Sequence, residues 1–399
     1  MRVLVTSWAW PTHYYPMAPL AWALRAAGHE VLVAAPPSLG PAVAGTGMPF
    51  VPTGRDLDVV GMIRSIVDGR AGKPAPAAGG APAAPTAAKG PRSTPMFTAI
   101  AESMADELLS VGRSFGPDLV MFEPSAWAGP LVAAALGVPA VRVPWGADIM
   151  ASVHQAEGAL EAEREALAPL AASLGVPGGA DTLGTLTLDA CPAPMQIDGT
   201  THATSPLRYV PYNGPGNPLP GHLAGPRTRP RVCVTWGTTV GRIDPARVLT
   251  AEVLRALAGT GLDLVAAVPQ GGRAALGPIA HEVTVLEQVP LHQVFPHVDA
   301  VVGHGGAGTV LAGLLNGLPQ AALPLLPDHR FNAGRLAASG AGLLLPREEA
   351  SPGRIRETVL AVLEEPGHRK AAEECRADLL ARPTPAEVVG VLGELAGGR

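Results

Sequence analysis

The chain has 399 residues, of which 47% are hydrophobic and 16% are charged, with a formal net charge of −5. This length exceeds the roughly 250–300 residues that one hydrophobic core usually serves, so it predicts two domains, each with enough apolar residues for its own core. The acidic balance and the lack of a Lys/Arg run argue against nucleic acid as a partner.

The first 35 residues predict a strand, a helix and a second strand. Strands are expected at 3–7 and 31–35, and between them apolar residues recur at helical spacing from Leu20 to Ala27. Gly28 lies where a helix C-terminal cap is expected. This order of elements predicts a parallel sheet in an α/β protein.

The rest of the chain continues the same alternation. Segment 69–95 consists almost entirely of Ala, Pro and Gly and predicts a mobile surface loop. Residues 214–230 are rich in Pro and Gly and predict an interdomain linker. The remaining elements are strands at 118–122 and 140–143 joined by a helix at 127–136, and then strands at 232–235, 262–268, 283–286, 299–302 and 320–325.

The N-terminus and the cysteines predict a reduced, cytoplasmic protein. Trp8-Ala9-Trp10-Pro11 interrupts the segment where a signal peptide would continue its apolar core. No apolar run reaches the length of a membrane span. Cys191, Cys233 and Cys375 lack the paired spacing of a disulfide framework or a zinc knuckle.

A glycine-rich segment at 302–309, VGHGGAGT, lies between a predicted strand and a helix at 310–315 that ends at Gly317. Glycines allow the backbone to approach a ligand, and the free N–H groups of a helix's first turn favour an anion. The segment is neither a P-loop nor a dinucleotide fingerprint, because no Lys follows it and its spacing is G-x-G-G-x-G. It predicts either a phosphate-binding loop or a tight turn whose glycines serve packing alone.

The strand at 320–325 delivers Asp328 to the carboxyl edge of the second sheet, where open α/β sheets bind ligands. Together with the glycine-rich segment and VLEQVPL at 285–291, this pattern resembles the nucleotide-sugar-binding half of GT-B glycosyltransferases. More narrowly, the chain resembles the actinomycete enzymes that attach deoxysugars to polyketide antibiotics. The resemblance covers nearly the whole chain and includes segments 1–6, 11–13, 19–31 and 208–214.

The resemblance implies two Rossmann-like domains that face each other across a cleft. Residues 1–213 would form the acceptor-binding domain, 214–230 the linker and 231–384 the nucleotide-sugar-binding domain. The segment 385–399 is then expected to pack back on the first domain. The Ala/Pro/Gly-rich loop would lie beside the acceptor cleft.

The resemblance also assigns catalytic roles. His13 follows the first strand, and its imidazole is suited to removing a proton near neutral pH. Glu123 occupies the place where the family has a carboxylate partner for this base. It is expected to orient His13 or to act as the base itself; the alternatives are a surface histidine and a solvent-facing carboxylate.

On the donor side, the resemblance assigns residues to each part of a nucleoside diphosphate sugar. The family commonly has Gln where this chain has His329, which bears on the sugar preference. Trp236 has interdomain packing as its alternative role. The assignments are His304, Gly305, Gly306, Gly308 and Thr309 for the diphosphate, Asp328 and His329 for the sugar hydroxyls, Gln288 and Val289 for the nucleobase, and Trp236, Gly237 and Thr238 for a loop near the diphosphate and sugar.

Aromatic residues cluster in the first loop. Trp8, Trp10 and Tyr14 are expected either to contact an apolar acceptor or to pack the loop itself. His292, His297 and His304 have irregular spacing and no accompanying carboxylates, so no metal is expected.

The sequence therefore predicts an inverting glycosyltransferase that moves a deoxysugar from a TDP-sugar, or alternatively a UDP-sugar, to a hydroxyl of a polyketide-type aglycone. The partners expected are these two small molecules, with no membrane span; a homodimer is left open. The alternatives are a C-glycosyltransferase that acts on an aromatic polyketide and an epimerase of nucleotide sugars on the same fold.

Overall fold

A computed structural model describes residues 1–67, 91–280 and 282–398. Its core consists of two separate, fully parallel β-sheets, each covered by helices. The first sheet takes its strands from residues 2–206, called the first half below, in the order β3-β2-β1-β4-β5-β6-β7. The part of the chain from residue 231 onward is called the second half. These strands are β1 Arg2–Thr6, β2 Glu30–Ala35, β3 Phe50–Pro52, β4 Leu119–Phe122, β5 Ala140–Arg142, β6 Leu186–Asp189 and β7 Thr204–Pro206.

The second sheet has the order β10-β9-β8-β11-β12-β13, which is the strand order of a dinucleotide-binding Rossmann domain. In both sheets the order reverses beside the first strand, and ligand sites of open α/β sheets lie at such positions. The strands are β8 Arg231–Thr235, β9 Asp263–Val268, β10 Thr284–Glu287, β11 Ala300–Gly303, β12 Gln320–Ala322 and β13 Gly342–Leu344.

Helices connect the strands in both halves. In the first half they are α1 Pro11–Tyr14, α2 Ala18–Ala26, α3 Gly40–Ala44, α4 Val59–Val67, α5 Thr94–Phe115, α6 Ala128–Leu136, α7 Ile149–His154 and α8 Ala159–Ser173. From the second half onward they are α9 Thr239–Ile243, α10 Thr250–Leu257, α11 Leu291–Val294, α12 Ala307–Leu315, α13 Pro327–Ala338, α14 Pro352–Glu364, α15 Pro366–Ala381 and α16 Pro385–Gly397. Within the residues that the structure describes, none of these helices is both long and apolar enough to cross a membrane.

The strands predicted from the sequence are present, and four more are found. β3, β6, β7 and β13 are only three or four residues long, which is too short for a clear hydrophobic period. The two edge strands of the first sheet, β3 and β7, each end in a proline, a residue that sheets accept mainly at their edges.

The segment expected to be a mobile loop falls largely outside the described residues, at 69–90. Its last residues belong to a regular element instead, since Thr94 and Pro95 begin α5. Proline is common in the first turn of a helix because its missing N–H is not needed there.

Several contacts join the two halves away from the cleft. The final helix, α16, packs against α2 of the first half. From α13, Arg335 donates through Nε to the carbonyl oxygen of Met195 at 3.0 Å. From the segment after α15, Arg382 donates through Nη1 to the carbonyl oxygen of Asp189, also at 3.0 Å. Both arginines bind carbonyl groups that follow or end β6, so the second half is anchored to the first sheet near β6.

Candidate active site

The first pair of site residues lies at the carboxyl edge of the first sheet. Strands β1 and β4 are neighbours, with Thr6 paired to Phe122, so the segments that follow them emerge side by side. His13 lies in the short helix α1 after β1, and Glu123 follows β4 directly. The His13 Nδ1 and Glu123 Oε2 atoms are 2.9 Å apart. The sequence prediction named both residues, and the fold brings them into contact.

Glu123 is fully buried, whereas the His13 side chain is 17% exposed. The carboxylate is held by Ser125, whose backbone N–H donates to Oε2 at 3.0 Å and whose hydroxyl lies within 3.0 Å of both carboxylate oxygens. Sequence reasoning missed Ser125; the signal was a Ser two residues after an acidic residue at a strand end, a common local turn. These hydrogen bonds hold the Glu123 carboxylate in place beside the imidazole.

Two indole rings enclose His13. Trp145, in the loop after β5, stacks on the imidazole with ring centroids 4.0 Å apart and an interplanar angle of 29°. Trp8 meets it edge-on, and the Trp8 Nε1 atom is 2.9 Å from His13 Nδ1. Trp145 was not predicted as a site residue. It fixes the orientation of the ring. Within the described residues, the hydrogen-bond contacts of this imidazole are made through Nδ1.

The predicted acceptor contacts of the first loop are all buried. Trp8 and Trp10 are 2% and 3% exposed and stack on each other, with centroids 5.3 Å apart. Tyr14 is fully buried, and its hydroxyl is 2.8 Å from the Thr46 hydroxyl oxygen. Burial raises the pKa of Tyr14 to about 12. Tyr14 therefore presents no surface to an acceptor in this structure and packs in the protein core.

The glycine-rich loop connects β11 to α12. The helix begins at Ala307 rather than at Val310, so Gly308 and Thr309 lie in its first turn. Gly305 has a φ of +78°, and a Cβ there would be 2.8 Å from the carbonyl oxygen of His329. These features explain Gly305 by backbone conformation and packing.

The next two glycines differ in what surrounds them. A Cβ on Gly306 would be 2.3 Å from the Nε2 atom of His304, so close packing requires this glycine. A Cβ on Gly308 would meet nothing within 4 Å. The space beside Gly308 is thus open, at a helix terminus whose N–H groups favour an anion.

His304 and His329 form a buried pair. Their rings are 4.5 Å apart at 81°, and both side chains are at most 4% exposed. Burial lowers the pKa of His329 to about 3 and that of His304 well below its usual value, so both are neutral near pH 7. Among the described residues, Nδ1 of His304 is buried without a hydrogen-bond partner.

Asp328 lies in the first turn of α13, with its side chain 34% exposed. Burial raises its pKa, and His13 and His304 offset part of that shift by favouring the charged form. His13 belongs to the first half and His304 to the second, so groups from both halves act on one carboxylate. The halves also touch nearby, because a Cβ on Gly146 would be 2.5 Å from the Cβ of Ala307.

The loop after β8 supports His304. Trp236 is 3% exposed and packs in the core of the second half. Gly237 has a φ of +56°, and a Cβ there would be 2.9 Å from the His304 Cε1 atom. Thr238 precedes α9 and is exposed, whereas Thr309 is buried in the first turn of α12.

The predicted nucleobase loop follows β10. Gln288 has a φ of +53° and is the single non-glycine residue with positive φ in the described part of the chain. Asn217 of the linker holds it: its backbone N–H donates to the carbonyl oxygen of Gln288 at 2.9 Å, and its side-chain amide donates to that of Glu287 at 2.8 Å. Val289 beside it is buried. Asn217 was not predicted, because a linker residue gives no local signal of this contact.

Within residues 1–67, 91–280 and 282–398, the structure contains no group of three or more His, Cys, Asp or Glu side chains arranged to hold a metal ion.

Both halves of the chain match one protein family. Residues 22–237 match the domain described as "Erythromycin biosynthesis protein CIII-like, N-terminal domain", and residues 251–395 match the corresponding C-terminal domain. The chain belongs to the erythromycin biosynthesis protein CIII-like family. It is therefore a glycosyltransferase, as the sequence predicted.

Characterised members of this family align over almost their entire length. The chain is 36% identical to 10-deoxymethynolide desosaminyltransferase of Streptomyces venezuelae, over 99% of this chain and 97% of the relative. It is 35% identical to 3-alpha-mycarosylerythronolide B desosaminyl transferase of Saccharopolyspora erythraea, over 100% of this chain and 99% of the relative.

Solved structures confirm the GT-B fold. The glycosyltransferase VinC in complex with dTDP has a TM-score of 0.80 and 30% identity, with 100% of both chains covered. The spinosyn rhamnosyltransferase SpnG complexed with thymidine diphosphate has a TM-score of 0.82 and 28% identity, over 98% of this chain and 100% of SpnG. SpnG complexed with spinosyn aglycone gives the same TM-score at 29% identity and the same coverage.

Proposed function

We propose that this enzyme transfers a deoxysugar from a TDP-sugar to a hydroxyl group of a polyketide aglycone, with inversion at the anomeric carbon. The relatives named above are deoxysugar transferases, and VinC and SpnG are recorded with thymidine diphosphate. The observation that carries the proposal is the 2.9 Å contact between His13 and Glu123 at the edge of one half, within electrostatic reach of Asp328 in the other.

His13 acts as the general base in this proposal. Its Nε2 atom takes the proton of the acceptor hydroxyl, while Nδ1–H donates to Glu123 and the carboxylate stabilises the imidazolium that forms. The acceptor oxygen forms a bond to the anomeric carbon as the bond from that carbon to the diphosphate oxygen breaks. The diphosphate leaves with the bonding electron pair, and attack from the opposite face inverts the configuration.

The second half holds the donor. The first turn of α12, with Gly308 and Thr309, receives the diphosphate, and His304 offers it a polar ring nitrogen. A neutral histidine suits this role as a hydrogen-bond donor that does not take the proton of the acceptor. No metal is required, because helix N–H groups and side chains stabilise the negative charge.

The sugar and the nucleobase of the donor contact other residues of the second half. Asp328 accepts hydrogen bonds from the sugar hydroxyls. His329, where the family commonly has Gln, packs beside Asp328 and shapes the sugar site. The loop of Gln288 and Val289 receives the nucleobase. Asn217 holds Gln288 in its left-handed backbone conformation.

The direct test is incubation of the purified enzyme with a TDP-deoxysugar and a polyketide aglycone, followed by mass spectrometry and proton NMR of the product. We expect a glycoside of inverted anomeric configuration. Treatment with acid should hydrolyse it back to the aglycone. An acid-resistant product would establish a carbon–glycosyl bond instead. Conversion of the donor alone into an epimer, without acceptor, would contradict transfer as the activity.

A further inference from the structure

The Nδ1 atom of His13 has three polar neighbours. Trp8 Nε1 and Glu123 Oε2 are each 2.9 Å away, and the Ser125 hydroxyl is 3.3 Å away. In a neutral imidazole this nitrogen carries either one hydrogen or one lone pair, but not both. The hydroxyl can serve either form, since it both donates and accepts. The other two neighbours cannot.

Trp8 and Glu123 place opposite demands on this nitrogen. An indole N–H only donates, so Trp8 favours the tautomer in which Nδ1 is bare and Nε2 carries the hydrogen. An ionised carboxylate only accepts, so Glu123 favours the tautomer in which Nδ1 carries the hydrogen. Only this second tautomer leaves Nε2 free to take a proton from an acceptor hydroxyl.

We propose that Trp8 is a positioning residue that competes with Glu123 for Nδ1 of His13 and thereby sets the fraction of the imidazole in its proton-accepting tautomer. Its consequence for turnover rests on the base role of His13 proposed above. One ordinary hydrogen bond changes such a ratio by about fivefold.

The indole of Trp8 is held in place by contacts that extend to the second half of the enzyme. Trp8 stacks on Trp10 at an interplanar angle of 10°, and the Arg242 guanidinium from α9 lies 4.3 Å over the Trp10 ring. Charged groups near His13 in the described part of the chain include Glu123, Asp328 across the cleft and Arg242 beyond the indole pair. Of these three, Glu123 contacts the imidazole directly.

The tautomer can be measured directly, without substrates. Protein labelled with ¹⁵N-histidine gives two-bond proton–nitrogen spectra that distinguish the two tautomers, and the His13 signals are identified by their loss in H13Q. Spectra are recorded at several pH values between about 6 and 9. We expect the wild type to contain a substantial share of the tautomer with the hydrogen on Nε2. Trp8→Phe should move His13 toward the tautomer with the hydrogen on Nδ1, by about fivefold in the ratio.

Trp10→Phe is the matched control, because phenylalanine keeps an aromatic ring in the stack with Trp8 and leaves the donor to Nδ1 unchanged. It should leave the tautomer ratio as in the wild type. A wild-type imidazole wholly in the Nδ1–H tautomer would overturn the proposal without any variant, and so would equal ratios in wild type and Trp8→Phe. Equal shifts in both tryptophan variants would assign the effect to packing and also overturn it. If His13 variants kept full transfer activity, the base role would be contradicted. The tautomer spectra would still test the role of Trp8, because they do not depend on transfer.

Discussion

His13 and His304 carry the same side chain on opposite sides of the cleft, and their surroundings differ in charge, burial and partners. His13 is partly exposed and contacts a buried carboxylate at 2.9 Å. His304 is buried against a second histidine, and among the described residues its Nδ1 has no partner. A carboxylate partner stabilises the imidazolium, whereas burial without one destabilises it.

The difference indicates a division of labour. A histidine that receives a proton during the reaction needs a nearby negative charge and access to substrate, and His13 has both. A histidine that binds a leaving group next to the acceptor should not compete for the same proton. The lowered pKa values of His304 and His329 keep both side chains neutral. This supports the proposal that the second half binds the donor while the first half performs the proton transfer.

The largest effect is expected from His13→Gln. Glutamine keeps a polar group in place but cannot accept the proton, and loss of a general base typically costs about 10²–10⁴-fold in rate. Turnover should fall by that range in steady-state assays with saturating donor and acceptor. Glu123→Gln is the companion variant and should lower turnover in the same direction. Turnover of His13→Gln close to the wild type would remove the base role from this residue.

Asp328→Asn tests the sugar contact. Hydrogen bonds to a charged group contribute about 1.5–3 kcal/mol, so kcat/KM for the TDP-sugar should fall roughly 10- to 100-fold. Affinity for TDP itself, which lacks the sugar, should stay within about twofold by calorimetry. An equal loss of affinity for TDP and TDP-sugar would show that Asp328 supports the loop rather than the sugar.

Gly308→Ala tests the leaving-group site. The added methyl group meets no protein atom within 4 Å, so thermal stability should be unchanged. It does occupy the space beside the helix terminus, and TDP affinity should fall by roughly tenfold. Gly334→Ala, also in open space but on α13, is the control and should bind TDP normally. Unchanged TDP affinity in Gly308→Ala would show that the diphosphate does not bind beside Gly308.

His329→Gln should alter how stability depends on pH. Burial holds the pKa of His329 at about 3, below the ordinary value of 6.5. Between these values the unfolded chain binds a proton that the folded protein does not, so stability is lost as the pH falls below 6.5. Glutamine does not titrate, and the variant should avoid up to about 2 kcal/mol of this loss at pH 5.

Thermal unfolding of both proteins from about pH 5 to 7.5 checks this expectation. His304 has the same sign of dependence and is present in both proteins, so it largely cancels from the difference. Parallel loss of Tm in wild type and His329→Gln would show that His329 is not held neutral by the fold.

The sequence predicted most of the fold because apolar strands alternate with helices along the chain. The family resemblance paired His13 with Glu123, and the segments that carry them follow neighbouring strands of one parallel sheet. The sequence did not predict Trp145 against His13 or Asn217 against Gln288, because these contacts join segments distant in sequence. The burial of Tyr14 likewise depends on how α1 packs against the loop that contains Thr46.

The division of labour between the two halves is tested most directly by titrating TDP, in a calorimeter, into wild type, His13→Gln and Gly308→Ala. If this division holds, His13→Gln binds TDP with wild-type affinity although its turnover is lost, and Gly308→Ala binds TDP about tenfold more weakly. Weakened TDP binding in His13→Gln, together with wild-type binding in Gly308→Ala, would contradict it.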